Sequence, residues 1–129
     1  MTANTDRHPD IEIYVAGISS AQACDWLQTQ FSSVTVTSQR GIQTHISARM
    51  DQHRVPALVV EKAAGRFTSL WFDSAATPWI TDLDCARAAQ HYFHREVRCI
   101  VSGWQEGDDP DEWWSVSDAG EQLIRWQGA

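Results

Sequence analysis

Residues 104–114 read WQEGDDPDEWW: five carboxylates (Glu106, Asp108, Asp109, Asp111 and Glu112) among three indoles (Trp104, Trp113 and Trp114), with no base between them. Dense negative charge beside large amphipathic rings suits a surface that grips something cationic. The carboxylates would steer the approach, and the rings would supply contact area at modest entropic cost. The competing reading is a solvated acidic turn whose flanking indoles sink into the core, because tryptophan is highly buried on average. Calcium chemistry fits poorly. A calcium loop needs oxygens at alternating positions around a turn glycine, whereas Gly107 precedes the main acids and Pro110 interrupts them.

Five bases form a second group. Arg87, His91, His94, Arg95 and Arg98 recur at offsets of four, seven, eight and eleven, so a persistent helix would project them from one side as a basic stripe. Three readings stay open: a solvated helix face, a partner for the acidic segment within the chain or across a dimer, and an anion-binding patch. Should stripe and segment meet, His91 and His94 would couple the contact to pH between about 5 and 8. The same two histidines are half of a metal site, yet no further ligand stands at a recognisable offset, so neither metal nor cofactor is expected.

Nucleophilic chemistry would need Cys85 or Cys99 beside His45, His53, His91 or His94. Against it, Cys24, Cys85 and Cys99 all fall on faces that the apolar periodicity buries, where a thiol behaves as a small apolar group. Asp82 and Asp84 are explained by a helix start, where exposed amides favour negative charge. The chain holds no GxGxxG, no Walker-type phosphate loop and no GxSxG, so phosphate-loop nucleotide binding and hydrolase-elbow chemistry lack support.

The surrounding composition narrows the classes. A length of 129 residues with 43% hydrophobic and 21% charged residues fits one globular domain, residues 11–129, behind a flexible start at 1–10. No apolar run approaches bilayer length, residues 1–10 lack the features of a secretory signal, and three cysteines without metal spacing fit a reducing compartment, so a cytoplasmic, soluble protein is expected. The net charge of −7 is uneven: residues 66–129 hold five bases against eleven acids, while residues 1–65 are nearly balanced. That field disfavours nucleic acid and anionic lipid and speeds encounter with a basic protein.

Alternation predicts strands at 11–16, 33–38, 42–48, 55–61, 67–72, 96–102, 113–116 and 122–126. Helices follow Ser19, which stands three residues before Gln22 as in a capping box, and Thr81, with the second running to about Arg95. Trp79 precedes that cap as a staple. Trp71 and Phe72 must point to opposite faces of their strand. The order strand, helix, four strands, helix, three strands predicts an α+β two-layer sandwich, a mostly antiparallel sheet with two helices on one face. Its function is expected to be that of a non-catalytic binding module for a basic protein, an inhibitor or toxin-neutralising protein being one form. The alternatives are a small enzyme or ligand-binding protein with a pocket near the second helix (His91, His94, Cys85) and a homo-oligomer joined through the acidic and basic groups.

Overall fold

The computed structural model describes residues 7–101 and 110–127. They form β1 (Ile11–Ala16), α1 (Ser20–Gln30), β2 (Ser33–Arg40), β3 (Gln43–Met50), β4 (His53–Ala64), β5 (Phe67–Phe72), α2 (Asp82–Phe93), β6 (Val97–Ile100), β7 (Glu112–Ser117) and β8 (Gly120–Arg125). The eight strands make one open sheet in the order β2-β3-β4-β5-β1-β6-β7-β8, antiparallel at every pairing, so the fold is α+β and dominated by its sheet. The first strand is the hub. β5 and β6 flank it and run parallel to each other, joined by α2 across β1, while α1 carries the chain from β1 to the far edge at β2.

Local chemistry explains the element ends. The Ser19 hydroxyl accepts from the Gln22 N–H, and the Gln22 side chain accepts from the Ser19 N–H, which closes the α1 capping box. Glu61 accepts from the Ser20 N–H at 2.6 Å, placing a carboxylate where the first-turn amides favour it. The Thr81 hydroxyl caps α2 through the Asp84 N–H. That helix stops at Phe93 because His94 turns left-handed (φ 55, ψ 39), two residues short of the predicted end. Strand β4 runs past the predicted boundary to Ala64 because Lys62 (φ 54) absorbs a bulge, which shortens the turn into β5 to Gly65 and Arg66.

The His8 N–H donates to the Ile80 carbonyl, and Arg7 Nη1 donates to the carbonyls of Ala75, Thr77 and Trp79.

Strand alternation sorts the sheet into two faces. Ile11, Ile13 and Val15 of β1, with Phe72, Leu70, Val59, Ala57, Val97 and Cys99, share one core with Ala23, Trp26 and Leu27 of α1 and Cys85, Ala86 and Ala89 of α2. Trp79 lies in this core, stacked on Trp26 at 5.4 Å and in contact with Phe31 and Phe72. Glu12, Tyr14, Trp71, Phe67, Arg98, Trp113 and Ser115 project to the opposite face by the same alternation.

Candidate functional site

Register brings the start of β1, the ends of β5, β6 and β8 and the start of β7 to one end of the sheet, where the connection carrying the acidic segment leaves and returns. Asp10 and Glu12 of the β1 start, Asp73 after β5, and Asp82 and Asp84 in the first turn of α2 collect there. Trp71 Nε1 donates to Asp10 Oδ2 at 2.8 Å, and the Glu12 N–H donates to Asp82 Oδ1 at 3.2 Å. His8 Nδ1 accepts from the Asp82 N–H and lies 3.4 Å from Asp82 Oδ1. Burial raises Glu12 above the ordinary carboxylate value, and the negative charges of Asp82 and Asp10 raise it further. Asp82 is also raised by burial, which the Glu12 N–H and His8 only partly offset. This end of the molecule is crowded with carboxylates that repel one another.

Beside them, on the Tyr14 face, a cleft of about 210 Å³ opens between β3, β4 and β5, lined by His45, Pro56, Leu58, Trp71 and Asp73. Cross-strand neighbours build its floor, since His45 pairs with Leu58 and Leu58 with Trp71. The Asp73 N–H is fixed on the Pro56 carbonyl at 2.9 Å, so the carboxylate is carried at the rim. A half-buried indole face beside a carboxylate is suited to the stem and head of an arginine or lysine.

The residues singled out at 104–114 divide. Trp104, Glu106, Asp108 and Asp109 lie outside the described residues. Asp111 is clamped at the root of the segment: its carbonyl accepts from the Trp126 N–H at 2.8 Å, its carboxylate from Gln127 Nε2 at 3.1 Å, and Arg125 Nη2 stands 3.8 Å away. Glu112 opens β7 and is half-buried. The two described indoles lie on opposite faces of β7. Trp113 is 8% exposed, and Trp114, on the other face of β7, packs half-buried against the core, because neighbours on a strand must point opposite ways.

Trp113 belongs to an aromatic cluster that sequence reading did not assemble. It meets Tyr14 edge-on at 5.6 Å and Trp126 at 4.9 Å, while Trp126 also packs on Tyr14 and Phe67. Trp126 follows an edge strand three places from β1, about 14 Å away in a flat sheet, so these contacts require the sheet to coil and the rings to lean inward. The Arg98 guanidinium lies 4.6 Å from the Phe67 ring centre and 4.7 Å from that of Trp126, and its Nε donates to Glu96 Oε2 at 2.8 Å. Burial would raise Glu96, but the hydrogen bonds from Arg98 and Ser115, with the Arg98 and Arg66 charges, outweigh it and hold the carboxyl below its ordinary value.

The basic stripe does not persist as one helical face. Only Arg87 and His91 lie within α2, His94 is its C-cap, Arg95 follows in the exposed turn, and Arg98 sits on β6 in the aromatic cluster. Among the described residues, Arg87 and His94 do meet acids: Arg87 forks onto Glu121 at 2.6 and 3.0 Å, and His94 Nδ1 lies 3.3 Å from Asp118, which also accepts from Gln90. The residues named for a pocket near the second helix differ in exposure. His91 and His94 are exposed with ring centres 6.4 Å apart, whereas Cys85 is wholly buried. Burial pushes the Cys85 thiol well above its ordinary value and Cys99 up to about 12, so both behave as apolar packing groups. Among the described residues, no three His, Cys, Asp or Glu side chains gather as a metal-ion set.

The chain matches no protein-family model, and neither a curated protein nor a solved structure aligns significantly with it.

Proposed function

We propose that this chain is a small acidic binding module of the cytoplasm that docks a basic protein, as an inhibitor or toxin-neutralising protein does. The observation that carries this reading is the apolar cleft on Trp71, opening with Asp73 at its rim at the sheet end where Asp10, Glu12 and Asp82 crowd. A partner's arginine or lysine would lay its stem on the indole and its charge against Asp73, while the carboxylates of Asp108, Asp109, Asp111 and Glu112 extend the attracting field. Trp71 thereby replaces Trp113 and Trp114 as the source of contact area. The two-layer arrangement belongs to this reading. Both helices cover the Ile13 face, as the shared core and the Trp26–Phe93 ring contact at 5.7 Å support, and the Tyr14 face is left for docking. Three free cysteines fit a reducing compartment, and no helix among the described residues is long and apolar enough to cross a membrane.

The test is capture of partners from native cell extract on immobilised chain, followed by association kinetics with whatever is retained. Changing Asp108, Asp109, Asp111 and Glu112 to amides should slow association by about tenfold at low salt and flatten its salt dependence. Trp71→Ala with Asp73→Asn should instead speed dissociation. A retained partner that is acidic, or one whose binding ignores both variants, ends the proposal.

A further inference from the structure

A second cleft, of about 300 Å³, lies between α1 and the β2–β3 hairpin, lined by Ser20, Cys24 and Asp25 of the helix and by Val36, Gln39 and Thr44 of the strands. It is separate from the Trp71 cleft. His45, the next residue along β3, lines that one, and neighbours on a strand point to opposite faces. At its floor Thr44 is only 2% exposed, and its hydroxyl has no hydrogen-bond partner. Buried hydroxyls are nearly always bonded, because stripping one of water without replacing the bond costs free energy.

The strand beside Thr44 is irregular at this point. Val36 pairs with Ile46, Ser38 with His45 and Gln39 with Thr44, so β2 carries one extra residue at Thr37. An unbroken ladder would set Ser38 opposite Thr44. The bulge sets Gln39 there instead, bringing a longer side chain with both a donor and an acceptor to the cleft. Between the polar floor and the rim the wall is apolar: Val36 is 48% exposed, and Cys24 is half-buried. Burial and the Asp25 charge raise the Cys24 thiol, so it stays protonated and acts as wall, not as nucleophile.

Charge selects the class of ligand. Asp25 is the one charged side chain that lines the cleft. A helix start usually attracts an anion, but here Glu61 already accepts from the Ser20 N–H at 2.6 Å, and Ser19 and Gln22 cap each other. Two carboxylates therefore repel an anion and favour a cation. The volume is at the lower end for small-molecule sites, which limits the ligand to a few carbons. We propose that this cleft binds a small aliphatic amino alcohol, its ammonium beside Asp25, its carbon chain on Cys24 and Val36, and its hydroxyl bonded to Thr44 and Gln39.

Amide NMR titration of the intact chain with linear amino alcohols, from aminopropanol to aminohexanol, tests this. The best chain length should saturate with a dissociation constant of about 1 mM, as a ligand of so few atoms allows. Its shifts should centre on residues 20–25 and 36–44. Pentylamine, which lacks the hydroxyl, and pentanediol, which lacks the charge, should each bind more weakly than aminopentanol. Bound ligand should also slow alkylation of Cys24 by iodoacetamide, while Cys85 and Cys99, both 0% exposed, stay unmodified throughout. Asp25→Asn should weaken the amino alcohol by about threefold and leave pentanediol unchanged. Thr44→Val should weaken it by about fivefold, leave pentylamine unchanged, and melt no lower than wild type, because the hydroxyl it removes bonds nothing in the free chain. The proposal is overturned by the lack of a saturable shift up to about 10 mM across the series, by shifts centred on Leu58 and Trp71, or by a Thr44→Val chain that melts lower or binds as well as wild type.

Discussion

Arg98 shows how one residue can organise a surface. Its guanidinium is shared by Phe67, Trp126 and Glu96, which come from β5, the segment after β8 and the entry to β6. Arg98→Ala removes the cation–π contacts and leaves Glu96 with Ser115 and the more distant Arg66. We expect a loss of about 1–3 kcal/mol in chemical denaturation and a rise of the Glu96 pKa toward or above its ordinary value, read by NMR titration. The sign in pH follows. A carboxyl held below its ordinary value of 4.5 stabilises the fold above that value and loses the contribution as pH falls through the folded pKa, so the variant should lose part of the acid-side slope of wild type. An unmoved Glu96 would show that the guanidinium is not what holds it. Sequence reading grouped Arg98 with Arg87 and His91 on a stripe that required the helix to persist, although alternation already made residues 96–102 a strand. The left-handed turn at His94 ends the helix close to the predicted Arg95, and the spacing of the bases does not encode it.

At the scale of elements, the tie between α2 and the last hairpin is the clearest ionic link. Arg87 forks onto Glu121, and the hydrogen bond from Arg87 holds Glu121 below its ordinary value. Both side chains are part-exposed, so a double-mutant cycle with Arg87→Ala and Glu121→Ala should give a coupling of only about 0.3–1 kcal/mol that shrinks with salt. A coupling near zero would make the pair incidental. The elements themselves were legible because each carries its own period: Ile11, Ile13 and Val15 alternate, and Cys85, Ala86 and Ala89 recur on one turn spacing. What periodicity does not encode is which strands are neighbours. The Tyr14, Phe67, Trp113 and Trp126 cluster joins residues more than fifty positions apart, and only the observed strand order assembles it.

Over the whole molecule, charge is distributed unevenly. The acid excess in residues 66–129 was legible in the sequence, but Asp10 and Glu12 join the crowded end only through the central position of β1. Glu12, raised by burial and by two carboxylate neighbours, stabilises the fold below its ordinary value of 4.5, a contribution lost as pH rises through the folded pKa. Its window therefore lies above 4.5, where that of Glu96 lies below. Glu12→Gln with Asp10→Asn should raise the melting temperature at pH 7 and flatten its dependence between pH 4.5 and 7, measured by thermal melts at fixed ionic strength. A lower melting temperature at pH 7 would mean that the hydrogen bonds of these carboxylates outweigh their mutual repulsion.

The central place of β1 also governs how the chain can acquire its shape. Synthesis delivers IEIYVA first, yet its two ladder neighbours are β5, which begins 51 residues after the last residue of β1, and β6, later still. Until then a strongly apolar strand waits without a ladder, while the β2 to β5 meander can close through short-range turns. Nascent chains of this protein should consequently lean on chaperones during that interval, and the rate of maturation should be set by the moment the earliest strand finds its place between two much later ones.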